Sequence, residues 1–243
     1  MRPSVQHCHY LSLGKVDYHT AWTLQRRLAE ARAEERISDT LIILEHPPTY
    51  TLGRSGRPEH LLLSQTECRE RGIELVEVDR GGDITYHGPG QIVAYPIWLL
   101  GQPDLSGRIP QANYVGYIRK LEEVLIQAVA PFGVRARREV GLTGVWVDTE
   151  SGPSKLAAIG VRISARGVST HGAALNVDPD LSYFEGIVPC GIANKGVTSL
   201  RALLGRTCPS VSAVRDSLTK AFESVFGCQL TAIALEQITT LIA

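Results

Sequence analysis

Cys190 sits in the tetrapeptide Val188-Pro189-Cys190-Gly191, where proline and glycine on either side favour a sharp turn over the middle of a strand or helix. A lone cysteine is more often a small core hydrophobe than a nucleophile. A thiol at a turn becomes reactive when a nearby cation favours the thiolate and a shaped apolar site receives the reacting group. Two upstream segments offer those parts. Lys155 opens the small, apolar run Leu156-Ala157-Ala158-Ile159-Gly160, and His171-Gly172-Ala173-Ala174-Leu175-Asn176 supplies a second such run. Alone, Lys155 reads as a solvated strand end. With its stem along apolar walls, its ammonium can shift the pKa of a buried reacting group.

A third stretch, Arg80-Gly81-Gly82-Asp83-Ile84-Thr85-Tyr86-His87-Gly88-Pro89-Gly90-Gln91, places four glycines and a proline around an Arg, a Tyr and a His. Glycine-rich backbone can approach a ligand closely, because no Cβ intervenes. A glycine-rich hairpin in which His87 only packs fits this stretch equally well. The order is not that of a phosphate loop, and a strand-like run, Ile92 to Ile97, follows where a dinucleotide fingerprint needs a helix. The cysteines are scattered, and His7, Cys8 and His9 crowd an end expected to fray, so no metal set emerges. Arg135, Arg137 and Arg138 alternate along an expected strand and read most simply as a solvated sheet face.

Helical periodicity places Tyr114, Tyr117, Ile118, Leu121, Val124, Leu125 and Ala128 on one face. Val214, Leu218, Ala221, Phe222, Val225 and Phe226 form another, and glycines at 133 and 227 mark the stops. A third helix is expected over 18–36, burying Trp22, Leu28 and Ala29. Runs of β-branched and aliphatic residues at 40–45, 73–78, 91–98, 144–147, 158–164 and 168–177 read as strands, the last two joined by a hairpin at Ala165-Arg166-Gly167. These elements predict an α/β domain with a mixed, largely antiparallel sheet and flanking helices. The segments 101–110 and 150–154 read as loops, and the part after Leu200 as a small helical appendage.

The chain has 243 residues, 44% of them hydrophobic, which suits one domain spanning 1–243. Its 25 Lys and Arg balance 25 Asp and Glu, so no global field favours nucleic acid or an anionic membrane. No apolar run is long enough for a bilayer span. Five cysteines with no C-x-x-C pair suit a reducing compartment, and the expected localisation is cytoplasmic.

Four ordered motifs between about Leu41 and Leu200 resemble the lipoyl(octanoyl) transferases: His46-Pro47-Pro48-Thr49-Tyr50-Thr51-Leu52-Gly53, the 80–91 run, 155–162, and 171–176 followed by Pro189-Cys190-Gly191. The resemblance implies a fold similar to the catalytic domain of biotin and lipoate protein ligases. It implies that Cys190 carries an acyl thioester and that Lys155 tunes it. It assigns acyl contact to Arg80, Gly81, Gly82, Asp83, Ile84, Thr85, Tyr86 and His87, to Ala158, Ile159 and Gly160, and to Gly172, Ala173 and Ala174. Ala173 stands where the family more often has a larger apolar residue. The implied donor is octanoyl-acyl carrier protein. The implied acceptors are lipoyl domains of 2-oxoacid dehydrogenases and the glycine cleavage H protein, with no cofactor, metal or ATP. Two other readings stay open: an ATP-dependent lipoate or biotin ligase on the same scaffold, and a non-catalytic acyl-binding module.

Overall fold

The computed structural model describes residues 6–101, 113–188 and 196–242. In chain order the elements are β1 (Gln6–Lys15), α1 (Tyr18–Ala33), β2 (Thr40–Glu45), β3 (Thr49–Leu52), α2 (Gln65–Glu70), β4 (Glu74–Glu77), β5 (Ile84–His87) and β6 (Gln91–Ile97). Then come α3 (Tyr114–Val129), β7 (Arg137–Glu139), β8 (Leu142–Thr149), β9 (Gly152–Ile163), β10 (Ser169–Asn176), β11 (Gly196–Val197), α4 (Leu200–Leu204), α5 (Val211–Phe226), β12 (Cys228–Ala232) and α6 (Leu235–Leu241). Cys190 and most of the loop expected over 101–110 lie outside the described residues.

Alternation along β2 explains the layering. Leu41 and Ile43 enter a core shared with α3 and α5, whereas Ile42 and Leu44 enter a second core shared with α1 and α6. A strand with apolar residues on both faces must be covered twice. The main sheet runs β12-β1-β2-β6-β10-β9-β8-β7, with β11 also on β9. Only β12/β1, β1/β2 and β11/β9 are parallel, so the sheet is mixed and largely antiparallel. A smaller sheet, β4-β3-β5, has a satellite core of Tyr50, Ile84, Tyr86 and their neighbours.

The main helices begin and end on local chemistry. Asp17 accepts from the Thr20 amide at the start of α1, Asn113 from Gly116 at α3 and Ser210 from Ala213 at α5. Gly227 caps α5 with φ +67°, and a short 3-10 turn after α3 ends at Gly133 with φ +80°. Helix α1 stops at Ala33, short of Arg36, and buries Tyr18, Ala21 and Gln25 with Leu28, leaving Trp22 and Ala29 only half-buried.

Two expectations about the chain's ends are corrected. His7, Cys8 and His9, expected to fray, form part of an interior strand: β1 lies between β12 and β2, and Cys8 is buried. The part after Leu200 is no appendage, because Val214, Leu218, Ala221 and Phe222 of α5 belong to the larger core and β12 extends the sheet. Both surprises have one cause. β1 and β12 find each other across the whole sequence, and short-range patterning carries no trace of such a pairing.

The site-bearing loops are held by backbone. Gly90, at φ +84°, offers its carbonyl to the Val177 and Asp178 amides, and a Cβ there would stand 2.2 Å from the Asp178 oxygen. Gly141 also has positive φ (+77°), with nothing near its missing Cβ. We therefore expect Gly90→Ala to cost on the order of 3 kcal/mol and Gly141→Ala about 1 kcal/mol, since only the first adds a collision to left-handed strain. Urea midpoints of the two variants check this, and equal losses would contradict it.

Candidate functional site

The glycine-rich 80–87 segment divides by strand alternation. In β5, Ile84 and Tyr86 point into the satellite core, where Tyr86 stacks on Tyr183 at 4.8 Å between ring centroids. Thr85 and His87 point the other way and line a cleft. Ile84 and Tyr86, assigned acyl contact by the resemblance, are therefore not brought to it. Arg80, Gly82 and Asp83 are. The buried Arg80 guanidinium donates from Nη2 to the Thr51 carbonyl and hydroxyl, both at 2.7 Å, and from Nη1 to the Gly81 carbonyl at 3.1 Å, which fixes the loop. Asp83 accepts from the Ile84 amide at 2.7 Å, and its other carboxylate oxygen pairs with the His60 ring.

The cleft measures about 460 Å³ including its mouth. Ala158, Ile159 and Gly160 of β9, Gly172, Ala173 and Ala174 of β10, and Val93 and Tyr95 of β6 line it, with Tyr18 from α1. Its floor is a cross-strand row, Ala158 opposite Ala174 and Ala174 opposite Val93. Small side chains in register leave the groove that larger ones would fill. Val93 and Ala174 belong to the core on the α1 side, whereas Ala173 belongs to the α3/α5 core and Ala157 lies in that same core. Ala174 therefore presents its side chain on the cleft face, and Ala173 contributes at the border. Gly172 is required beside it: a Cβ there would stand 2.1 Å from the Ala94 carbonyl oxygen.

Lys155 is buried, 7% exposed, with its ammonium 4.8 Å above the Trp146 ring, so it is not the solvated strand end that its sequence setting allowed. The cause is an irregularity in the β8/β9 ladder, where Val145 faces Ala157 but Trp146 faces Lys155. Two residues opposite one re-aim a strand. Leu156 and Ala157 both enter the larger core, and Lys155 shares a face with Trp146. Lys155 lines a second recess with Gly81, Leu142 and Thr143, and that recess shares Gly82, Ile159 and Gly160 with the cleft. The described chain on either side of Cys190 is anchored by backbone pairing. The Val188 amide donates to the His60 carbonyl at 2.8 Å, and Val197 pairs with Lys155.

Tyr18, Tyr95 and His171 were not among the expected contacts, yet all three line the cleft and are buried. The Val16 carbonyl can only accept, so His46 Nδ1 donates to it (2.7 Å) and His46 Nε2 accepts from the Tyr95 hydroxyl (2.8 Å). His171 Nε2 donates to Asp79 at 2.8 Å, leaving Nδ1 to face the Tyr18 hydroxyl at 3.3 Å. Burial holds the His46 imidazole down at about 4 and His87 well below the usual range. Burial also lowers His171, against the pull of Asp79. The Tyr18 phenol is pushed up to about 12 by burial, and Tyr95 goes well above its ordinary value. At neutral pH the cleft is therefore walled by neutral imidazoles and intact hydroxyls. Arg80 lines the cleft beside Gly82, and Lys155 lines the adjoining recess that shares Gly82 with it. His171 also holds φ +57°, a left-handed conformation uncommon outside glycine that histidine adopts more readily than most side chains. Tyr18 and Tyr95 fall in segments read only as a helix and a strand, whereas His171 opens the 171–176 motif and its own position there was the signal.

No group of three or more His, Cys, Asp or Glu placed to hold a metal ion occurs among the described residues. The family description "Lipoyl protein ligase A/B catalytic domain" matches residues 17–223. An octanoyltransferase of Chloroflexus aggregans is 51% identical over 215 residues, 88% of this chain and 92% of that one. One of Koribacter versatilis is 46% identical over 220 residues, 90% and 84% of the two chains. Among solved structures, the bi-partite lipoate protein ligase of Thermoplasma acidophilum superposes with a TM-score of 0.70 at 17% identity, covering 98% of this chain and 91% of that one. That likeness shows the fold.

The His46 environment carries a pH dependence. The unfolded chain takes up a proton near 6.5, whereas the buried ring does so only near 4. Its contribution to stability is complete above pH 6.5 and is lost as pH falls towards 4. At about 1.4 kcal/mol per unit, the wild type should lose on the order of 3 kcal/mol more than His46→Gln across that window. Denaturant midpoints at several pH values measure the difference, and parallel curves would exclude a neutral, buried His46.

Proposed function

Since the chain belongs to the lipoyl protein ligase A/B catalytic domain family, among its octanoyltransferases, we propose that it carries an octanoyl group from acyl carrier protein to a lysine of a lipoyl domain, through a thioester on Cys190. The observation that carries this reading is the junction of a cleft floored by small side chains with the recess of a buried lysine, through Gly82, Ile159 and Gly160. The 1–243 chain acts as one catalytic domain. Acceptors are lipoyl domains of 2-oxoacid dehydrogenases and the glycine cleavage H protein.

In the first half-reaction the Cys190 thiolate attacks the carrier thioester, and the carrier thiolate leaves and is protonated. A free thiol titrates near ~8.5, so positive charge on Lys155 increases the reactive fraction at neutral pH. In the second, the acceptor amine attacks acyl-Cys190, an amide forms, and the Cys190 sulfur leaves. The departing carrier thiolate takes its proton from the Lys155 ammonium, and the acceptor ammonium then sheds one proton to solvent before attack and a second to the neutral Lys155, which restores the Cys190 thiolate beside a Lys155 ammonium. Backbone amides of the glycine-rich loop or near Gly191 stabilise the oxyanion. Burying about seven alkyl carbons at about 0.8 kcal/mol each gives on the order of 5 kcal/mol, so few polar contacts are needed. The donor is already activated, so no nucleotide enters. Cytoplasmic action suits the described cysteines, Cys8, Cys68, Cys208 and Cys228, all of which are free thiols. No helix among the described residues is long and apolar enough to cross a membrane.

The test is incubation with octanoyl-carrier thioester, without nucleotide, followed by intact-mass measurement. One octanoyl adduct is expected, and Cys190→Ala should abolish both adduct and transfer while Cys68→Ala and Cys208→Ala retain them. Transfer to a lipoyl domain that needs free octanoate and ATP and leaves no adduct on this chain would instead indicate a ligase, and neither adduct nor transfer under either condition a binding module. Lys155→Ala should slow acylation at neutral pH by on the order of 10²-fold, with partial recovery as rising pH generates the thiolate. An unchanged pH profile for alkylation of Cys190 would remove Lys155 from this role.

A further inference from the structure

We propose that Tyr95, backed by His46 and flanked by Tyr18, forms a hydrogen-bonded end wall that fixes the acyl chain length, with Tyr95 the specificity-determining residue. The inference rests on the acyl-transfer reading of the cleft. The cleft has two distinguishable ends. One shares Gly82, Ile159 and Gly160 with the Lys155 recess, and the other carries Tyr18, Val93 and Tyr95. Between them runs the floor row Ala158, Ala174, Val93 across three adjacent strands. Two inter-strand steps of about 4.8 Å give a floor of roughly 10 Å, close to the reach of an extended eight-carbon chain. Past Val93, the row continues into Leu44, which is packed in the α1-side core.

What closes the far end is polar in composition, and its hydroxyls are already engaged by imidazoles. The Tyr95 hydroxyl is spent on His46 (2.8 Å), whose other nitrogen is spent on the Val16 carbonyl (2.7 Å). Tyr18 faces His171, which is held by Asp79, and its ring lies 4.9 Å from His46 and 5.9 Å from His87. Tyr18 is 1% exposed, Tyr95 3% and His46 0%. An aliphatic wall would yield to an added methylene, and such pockets discriminate only about 10- to 200-fold. A chain that displaces Tyr95 strips the buried His46 Nε2 of its hydrogen-bond donor. The wall is thus stiffer than its ring volumes alone would make it.

The test is competition among hexanoyl, octanoyl, decanoyl and dodecanoyl carrier thioesters, scored by relative kcat/KM for wild type and Tyr95→Phe. The phenylalanine keeps the ring and removes the bond to His46. The decanoyl-to-octanoyl ratio should rise by about tenfold, and the hexanoyl-to-octanoyl ratio should stay level because the shorter chain does not reach the wall. Tyr18→Phe, on a different element, should raise the same ratio and carries the test if Tyr95→Phe does not fold. Unchanged ratios in a folded variant that still transfers octanoyl would overturn the end wall and leave ring size as the determinant. A wild-type protein that transfers no acyl group at all would instead overturn the acyl-transfer reading itself.

Discussion

The edge of β9 is divided between two partners, and the rest of the site depends on how that division is made. β8 pairs with β9 as far as Ala157, and the Gly81 amide takes over at the Val161 carbonyl at 2.9 Å. Buried backbone must find partners, so a strand abandoned by its neighbour is either covered or exposed to something else. Here the hand-over leaves an interval at 158–160, bordered by Gly82 on one side and Gly144 on the other. Both recesses open onto that interval. Glu122, wholly buried on α3, helps to hold the β8 end of it by accepting from the Gly144 amide (3.2 Å) while pairing with Arg119 and Arg138. A carboxylate there is tolerable because two guanidinium groups and an amide compensate it.

The site is electrostatically asymmetric. Charge is gathered at the Lys155, Arg80 and Asp83 end, and the opposite end holds groups that burial keeps neutral. That asymmetry suits a substrate whose reacting end develops charge and whose other end is alkyl. It also explains why the imidazoles gathered here do not repel, His46 and His87 lying 5.8 Å apart between ring centroids: both, and His171, are held below their ordinary range by burial.

Much of this organisation was legible in the sequence wherever a local rule decided it. The 40–45 strand, the stops at Gly133 and Gly227 and the hairpin around Gly167 each follow from a pattern complete within a few residues. The glycine-rich motif and the two small-residue runs do meet at one cleft. Alternation within 84–87 was also available, and it separates Thr85 and His87 from Ile84 and Tyr86. Burial of Lys155 was not legible, because it comes from a one-residue irregularity that patterning cannot register. Tyr18 and Tyr95 were hidden for another reason. Each satisfies its own helix or strand as an ordinary core residue, and only their meeting across β6, α1 and the His46 segment gives them a shared role. Cys190 was singled out by its turn, and it lies outside the described residues.

The placement of β1 reaches beyond the site. Its partners are β2, which follows within a few dozen residues, and β12, whose pairing joins Gln6 to Cys228. During translation the β2 side can close early, while the other edge of β1 waits until nearly the whole chain has been made. At synthesis rates of about 5 to 20 residues per second, that edge stays open for tens of seconds. It is an unpaired strand edge of the kind that recruits other chains. The two histidines flanking Cys8 place polar side chains in that segment, a device that blunts an open strand edge.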